Sequence, residues 1–475
     1  MNLSVGEVIE AGKIKQRGNG ISMETEVTSV VVDSRLVTEN GVFYAIAGER
    51  TDGHSYLKAV CDRGAALVIG TKDPKVLKEE YGFSEKELGK YAVTDVILDS
   101  IQSVAEAYRK KLTLPIIGIT GSVGKTSTKE FVAGVLAEKY SVLKTDVNQN
   151  NQLGVALTLL RIRKEHEVAV VEMGISKFGE MHRLSKMVRP NLCVMTNIGD
   201  CHLENLGDRD GVLRAKSEIF DFMAENGTVI LCKDDEKLAE IREIRGKKPL
   251  TFGLSSADVF ATELENHGWL GTDARLCIKE NGETKNVNIH VPLPGKHMVL
   301  NAAAAACVAT VLHLLPQEIA NGIEKVKPVD GRTHLIKKGD TTIIDDCYNA
   351  NPASMRAALE LLRFSETSGC AVLGDMFELG ENEEKYHAEI GRYAMQMGLK
   401  RLICVGKISK AMENAAQKEK QDKKLSTDIL YFESTQQVME LPEERKKEYF
   451  GGKATILLKA SHGMNFAALL KWLDE

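Results

Sequence analysis

Apolar residues in this chain follow two spacings, and the alternation between them outlines its elements. From residue 114 onward, short apolar runs at 116–119, 168–171, 192–196 and 228–231 alternate with stretches such as Phe131, Val132, Val135 and Leu136, where apolar positions recur at helical spacing. Short uninterrupted runs predict buried strands, and the wider spacing predicts helices packed by one face. Together they predict a mostly parallel sheet with helices on both sides. A turn-forming stretch at 329–333, containing Gly331 and preceded by Pro328, predicts a boundary. A second series follows, with strands at 342–344, 370–373, 402–405 and 454–458 and helices at 353–364, 383–397 and 465–473. Before residue 112 the apolar runs at 30–32 and 65–69 sit in a mixture of strands and helices. The expected architecture is therefore α/β in three domains. These are a smaller mixed α/β N-terminal domain (1–112), a central domain with a mostly parallel sheet (113–329) and a doubly wound, Rossmann-like C-terminal domain (330–475). The longest apolar run, 298–315, is mostly alanine and carries Asn301 and His313, so it predicts a buried helix and not a membrane span.

Composition narrows the class. The chain has 475 residues, enough for about three domains of ordinary size. Its 62 basic and 67 acidic residues leave a net charge of -5, which does not suggest a nucleic-acid partner. The lysines at 418–424 are interleaved with acids and predict a solvated face. Nine scattered cysteines, with no C-x-x-C pair, argue for a reducing compartment and against a disulfide framework or structural zinc. Residues 1–20 lack the basic start and apolar core of a signal peptide. The expectation is a soluble cytoplasmic protein without membrane insertion, and a monomer by default.

The candidate chemistry starts at Gly118-Ile-Thr-Gly-Ser-Val-Gly-Lys-Thr-Ser127, between an apolar run and a helical pattern. A glycine-rich turn there leaves backbone N–H groups free to cradle phosphate oxygens. Lys125 is placed to reach the outer phosphates and Thr126 to offer a hydroxyl to Mg²⁺. Thr120, Gly121, Ser122, Val123, Gly124 and Ser127 complete the candidate nucleotide cradle. The usual loop has a glycine where this chain has Ile119, so the motif is a shortened relative. Ligands of open α/β sheets bind beyond the carboxyl ends of the strands, and polar residues gather there repeatedly. Glu172 ends one run, and Thr196-Asn197-Ile198-Gly199 ends another, with His202 and Glu204 just beyond. Glu172 supplies the hard oxygen that Mg²⁺ prefers, whereas His202 is an uncommon Mg²⁺ ligand and reads equally well as a helix cap. In the last domain, Asp345-Asp346 leads into Cys347-Tyr348-Asn349-Ala350-Asn351-Pro352, and two further runs end at Gly374-Asp375-Met376 and Lys459-Ala460-Ser461-His462. These residues suit a ribose or a charged substrate, but Asn351 and Ser354 suit helix capping equally. Asp33-Ser34-Arg35 and Asp52-Gly53-His54 read first as turn chemistry. Neither Ser127 nor Ser461 has a motif-level acid and histidine partner, and no cysteine sits in a catalytic context. Covalent catalysis is therefore unsupported, and direct phosphoryl transfer remains.

Taken in order, these segments resemble the Mur ligase family, the ATP-dependent amino-acid ligases of peptidoglycan synthesis, over nearly the whole chain. The carriers are D-S-R at 33–35, T-G-S-V-G-K-T at 120–126, N-Q-N-N-Q-L-G at 148–154, V-E-M-G from 171, T-N-I-G-D-C-H-L-E from 196, R-A-K-S-E-I-F from 214 and G-K-H-M-V-L-N from 295. Within the family, D-D-C-Y-N-A-N-P-A-S-M from 345 and G-D-M-F-E-L-G from 374 are similar to the last member of the series. The resemblance implies an acyl-phosphate mechanism in which ATP activates the terminal carboxylate of UDP-N-acetylmuramoyl-tripeptide and D-alanyl-D-alanine attacks it. It implies two Mg²⁺ ions, with Thr126, Glu172 and His202 as ligands, and a carbamate formed from CO₂ on Lys216. It further implies that Asn301 reads the adenine edge, Arg332 reaches the γ-phosphate and Asp346 contacts the nucleotide. Lys125, Glu172, His202, Lys216 and Arg332 would be the catalytic set. Ser34, Arg35, Asn150, Asn151, Asn349 and Asn351 would contact substrate, with Asp375, Glu378 and His387 in the same third-domain pattern. The chain departs from the pattern at Asp200 and Cys201, and at His462, where relatives often carry arginine. Competing readings are the preceding ligase, which adds the third amino acid, a folylpolyglutamate synthase relative, and a phosphate-loop switch that ligates nothing.

Overall fold

Three sheets carry the chain, which a computed structural model describes at residues 1–48, 51–146, 148–365 and 367–474. The central sheet has nine strands in the order Val142–Lys144, Val168–Glu172, Ile116–Thr120, Leu192–Met195, Thr228–Cys232, Leu250–Gly253, Val259–Asn266, Thr272–Glu280 and Glu283–Val291. Neighbours are parallel as far as Val259–Asn266, and the last two strands join antiparallel. Ile116–Thr120 and Val168–Glu172 are buried along their whole length, as strands covered on both faces should be. The antiparallel ribbon was not predicted. Its strands alternate buried residues with exposed charged ones, and they end in a run of exposed positions at Thr262–Asn266's outer half and Glu283–Asn286. Such sequence looks like loop when read without its partner strands.

The alanine-rich run forms the helix Lys296–Val311, which is buried between the sheet and the helix Lys125–Leu136. Small side chains permit that close packing on every face. The first sheet has the order Gln16–Arg17, Tyr91–Val93, Leu67–Gly70, Val42–Tyr44 and Val30–Val31. Its inner face shares one continuous apolar core with the central sheet, running from Leu3 and Val5 through Ile101 and Tyr108 to Ile117 and Val170. The helix Ile97–Arg109 cements the pair: Arg109 donates to the carbonyls of Val188 at 2.7 Å, Leu112 at 2.9 Å and Arg189 at 3.0 Å.

The third sheet has the order His334–Lys338, Thr341–Asp345, Ala454–Lys459, Ser368–Gly374, Arg401–Val405 and Asp428–Phe432. Only its first strand is antiparallel, and separate apolar clusters cover its two faces. The helix predicted at 353–364 is an α-helix at Pro352–Leu361 that tightens into a 3₁₀ turn at Leu362–Phe364. The chain enters this unit through a turn closed by a bridge between Val329 and Arg332. Across the units, Trp269 of the central ribbon sets its ring edge-on to Phe364, with centroids 5.9 Å apart. Among the described residues no helix is long and apolar enough to cross a membrane, and all nine cysteines are free.

Candidate active site

The glycine-rich turn leaves the strand Ile116–Thr120 and delivers the helix Lys125–Leu136. Gly121 has φ +147, and a Cβ there would lie 2.0 Å from Thr196 Oγ1; Gly124 caps the helix at φ +82. Only glycine fits such a backbone at low cost. The end of the neighbouring strand clamps the turn. Asn197 accepts from Val123 N at 2.9 Å and donates to Val123 O at 2.8 Å, while Thr196 Oγ1 donates to the same carbonyl at 2.7 Å. With the loop held this way, Lys125 Nζ folds over it and donates to Gly121 O at 2.7 Å and Ser122 O at 3.3 Å. Burial, followed by repulsion from the Lys216 ammonium, pulls the Lys125 pKa down to about 8.

Beneath the turn, Glu172 is nearly inaccessible and fully engaged. Its Oε1 accepts from Thr126 Oγ1 at 3.1 Å and Asn150 Nδ2 at 2.8 Å, and Lys129 Nζ lies 4.0 Å from Oε2. Lys129 is itself fully buried and donates to Thr145 O at 2.9 Å. Lys216 is also fully buried, but its Nζ has no hydrogen-bond partner, and burial lowers its pKa. An orphaned amine in such a place fits conversion to a carbamate, because CO₂ adds to the neutral form. Among the described residues no three His, Cys, Asp or Glu side chains converge on one metal position. The oxygens of Thr126 and Glu172 nevertheless fit a hard cation that takes its remaining ligands from phosphate and water.

The opposite wall comes from the third unit. The Arg332 guanidinium lies 4.0 Å from the centre of the Tyr348 ring, whose own neighbour is His462 at 5.7 Å. Asp346 accepts from Lys459 Nζ at 2.6 Å and from Thr333 N at 3.1 Å. Asn351 caps the helix Pro352–Leu361, accepting from Ser354 N at 2.9 Å, and so meets the capping expectation. Asn151 likewise caps Gln152–Leu160, accepting from Gly154 N at 2.8 Å. His202 sits on the rim of the central unit, where its Nδ1 meets Glu378 Oε2 of the third unit at 2.5 Å.

Between the walls lie two adjoining cavities of about 450 and 430 Å³ that share Thr126 and Arg332. The first is lined by Lys125, Asn150, Asn151, His202, Asn349 and Asn351. The second is lined by Ser127, Asn301, Asp346 and Lys459, with Leu300 and Ala357 as an apolar floor. Asn301 Oδ1 accepts from Thr128 Oγ1 at 3.0 Å. Five of the expected site side chains line neither cavity, among them Glu172 and Lys216, which are buried. Thr120 is fully buried with an unpartnered hydroxyl, because it is the last residue of a strand covered on both faces. Ser34 and Arg35 line neither cavity; the guanidinium of Arg35 is exposed and engaged by Asp33, which caps the turn Ser34–Leu36. Asp52 does similar work at Gly53–Tyr56, holding His54 Nδ1 at 2.7 Å. Lys129 and Thr128, given no role from sequence, prove central to the geometry, as does Tyr348, which was quoted within a motif without a role of its own. Their only sequence signal was a place in or beside a motif.

Comparison with known proteins fits this geometry. Models of the Mur ligase middle domain and of the Mur ligase glutamate ligase domain match residues 119–309 and 331–462. The chain is 32% identical, over 95% of its length and 94% of the relative's, to UDP-N-acetylmuramoyl-tripeptide–D-alanyl-D-alanine ligase of Bacillus subtilis. The chain belongs to the Mur ligase family. Among solved structures of Mur ligases, it is similar to MurF from Acinetobacter baumannii, with TM-score 0.83, 30% identity, and 99% of this chain and 98% of that one covered. It is also similar to MurF ligase from Thermotoga maritima in complex with ADP, with TM-score 0.74, 26% identity, and 94% and 97% covered. The family's central and glutamate-ligase domains thus correspond to the two units that wall the cleft.

Proposed function

We propose that this chain is an ATP-dependent ligase that joins D-alanyl-D-alanine to the terminal carboxylate of UDP-N-acetylmuramoyl-tripeptide, a step of peptidoglycan precursor synthesis. The observation that carries the reading is the divided cleft: a phosphate cradle on one wall faces Arg332 and a set of amides on the other. Relatives named for this activity, aligned over 95% and 84% of the chain, supply the substrates.

In this reading the cavity floored by Leu300 and Ala357 takes the adenosine, with Asn301 at the base edge and Asp346 at the ribose. Lys125 leaves the carbonyls of its own loop and takes up the outer phosphates, whose charge stabilises its ammonium. Arg332, held against Tyr348, approaches the γ-phosphate from the opposite side. An oxygen of the tripeptide carboxylate attacks that phosphorus and ADP departs; the amine of D-alanyl-D-alanine then attacks the acyl carbon, and phosphate leaves. Positioning and charge neutralisation are what such a reaction asks of the protein, and no protein nucleophile is needed. Thr126 and Glu172, with His202 and carbamylated Lys216 as further ligands, would hold Mg²⁺, which would neutralise charge on the transferring phosphoryl group. Asn150, Asn151, Asn349 and Asn351 orient the two substrates across the cleft. The first unit, with Ser34 and Arg35, holds the uridine-diphosphate end. One chain supplies both walls, which supports a monomer, and a UDP-linked substrate supports a cytoplasmic setting.

Isotopic oxygen in the tripeptide carboxylate tests the mechanism. The acyl-phosphate route carries one labelled oxygen into the released phosphate; label retained entirely in the peptide would contradict it. Labelled CO₂ trapped on the folded protein should mark Lys216, and an unmodified Lys216 would remove the carbamate from the scheme.

A further inference from the structure

Among the described residues, the only carboxylate that reaches the His202 ring comes from the other side of the cleft, and both partners hold backbone conformations that favour glycine. His202 has φ +53 and Glu378 has φ +63. A left-handed backbone is unfavourable for a non-glycine residue, and it persists where the surroundings over-determine it. Those surroundings are visible on the Glu378 side. Phe377 N donates to Ser461 Oγ at 2.9 Å, and Met376 N donates to His387 Nε2 at 2.9 Å. Asp375 accepts from Ser409 N at 2.7 Å and Ser409 Oγ at 2.6 Å, and its carbonyl accepts from Ser461 N at 3.0 Å. Leu379 is buried directly after Glu378. The segment is therefore a rigid arm that presents one carboxylate. It also seats on the central unit, where Glu204 N donates to Glu378 O at 3.3 Å and Gly380 passes the Glu204 backbone closely enough that a Cβ would lie 3.4 Å from it.

With Nδ1 held by Glu378 at 2.5 Å, the His202 ring has one nitrogen left for the cavity it lines. We propose that Glu378 is a positioning residue for the ligase reaction: it fixes the His202 ring toward the phosphate-binding cavity, and it does so only while the third unit is closed on the central one. The inference rests on the ligase reading for its kinetic consequence, but its binding consequence stands apart from it. A histidine that meets a cation through one nitrogen is commonly oriented by a carboxylate on the other, and losing that carboxylate typically costs 10–100-fold in affinity or activity. Here the orienting group arrives from a separate rigid body, so opening the cleft releases the ring. Residues at 202 and 378 are 176 apart in sequence, which is why no local motif exposes the pair.

The test compares wild type, Glu378→Ala, Glu378→Gln, His202→Ala and the Glu378→Ala/His202→Ala double variant. The first readout is ADP affinity with and without Mg²⁺ by calorimetry, which requires no turnover. Glu378→Ala should reduce the enhancement by Mg²⁺ about tenfold or more. The same change in the His202→Ala background should do nothing further, because one residue acts through the other. Glu378→Gln, which keeps an acceptor oxygen, should recover part of the effect. In turnover, Glu378→Ala should lower kcat while leaving KM for the UDP-linked substrate within about twofold. Additive effects in the double variant, or an unchanged Mg²⁺ enhancement, would overturn the proposal. A change in KM alone, with nucleotide-induced closure lost in X-ray scattering, would show Glu378 to be only a staple between the units and would overturn it as well. If wild type ligates no dipeptide yet the calorimetric coupling holds, the functional reading fails and the positioning role survives.

Discussion

Lys125 illustrates how far a single residue can be read. Its place after Gly124 is a local pattern, so its position where the glycine-rich turn enters the helix Lys125–Leu136 was legible from ten neighbouring residues. Its partners were not, since Lys216 and Arg332 reach it only through the fold. Lys125→Ala should lower ligation by roughly 10²–10³-fold, as losing a preorganised cation at a phosphoryl group does, with thermal stability nearly unchanged. Retained activity would contradict the phosphate role. Tyr348 is the opposite case. Nothing in its sequence context marks it as a support for Arg332, yet the guanidinium lies 4.0 Å from its ring centre. A cation–π contact of about 0.5–2 kcal/mol implies that Tyr348→Ala lowers kcat by roughly 2- to 30-fold while Tyr348→Phe stays near wild type. Equal losses in both variants would point to the hydroxyl instead. Asn351 was legible as a polar residue just beyond a strand end, and Asn151 only through the family motif at 148–154. The structure adds that their side-chain oxygens are occupied by caps, while both residues line the cleft.

The parallel strands and their covering helices were legible as elements because burial on both faces leaves an uninterrupted apolar run. The ribbon Thr272–Glu280 with Glu283–Val291 was not, because one face meets solvent and charged residues interrupt the pattern. The arm between Gly374 and the helix Glu383–Met395 was legible only as a motif, since its order comes from side chains contributed by other elements. His387 makes that order dependent on pH. Burial lowers its pKa below the ordinary value, while Nε2 accepts from Met376 N and Nδ1 faces Glu383 O at 2.7 Å, a neutral ring. The unfolded chain takes up the proton first as pH falls, so this contribution to stability is present above the ordinary histidine range and is lost on acidification below about 6.5. Melting temperature should therefore fall between pH 7 and pH 5.5, and His387→Gln should flatten part of that slope. An identical slope in the variant would show that the titration lies elsewhere.

For the molecule as a whole, the shared core makes the first and central units one body, and the separately cored third unit joins it through the stretch at 329–333. The turn at 329–333 was legible from proline and glycine, but the fusion of the first two cores was not, since it depends on which face each helix buries. The contact of Trp269 with Phe364 holds the third unit in place away from the reacting groups. An aromatic pair of about 0.5–1.5 kcal/mol means that Trp269→Ala should shift the population toward open forms by roughly 2- to 12-fold. Scattering without nucleotide should then give a larger radius of gyration, and saturating nucleotide should restore the wild-type value. An unchanged radius would place the restraint on closure elsewhere. That closure matters only if the cleft joins two particular substrates. The most direct measurement is phosphate release from ATP and UDP-N-acetylmuramoyl-tripeptide as the acceptor dipeptide is varied. D-alanyl-D-alanine should stimulate release and yield the amide-linked product in equal amount, whereas release indifferent to D-alanyl-D-alanine would contradict the account.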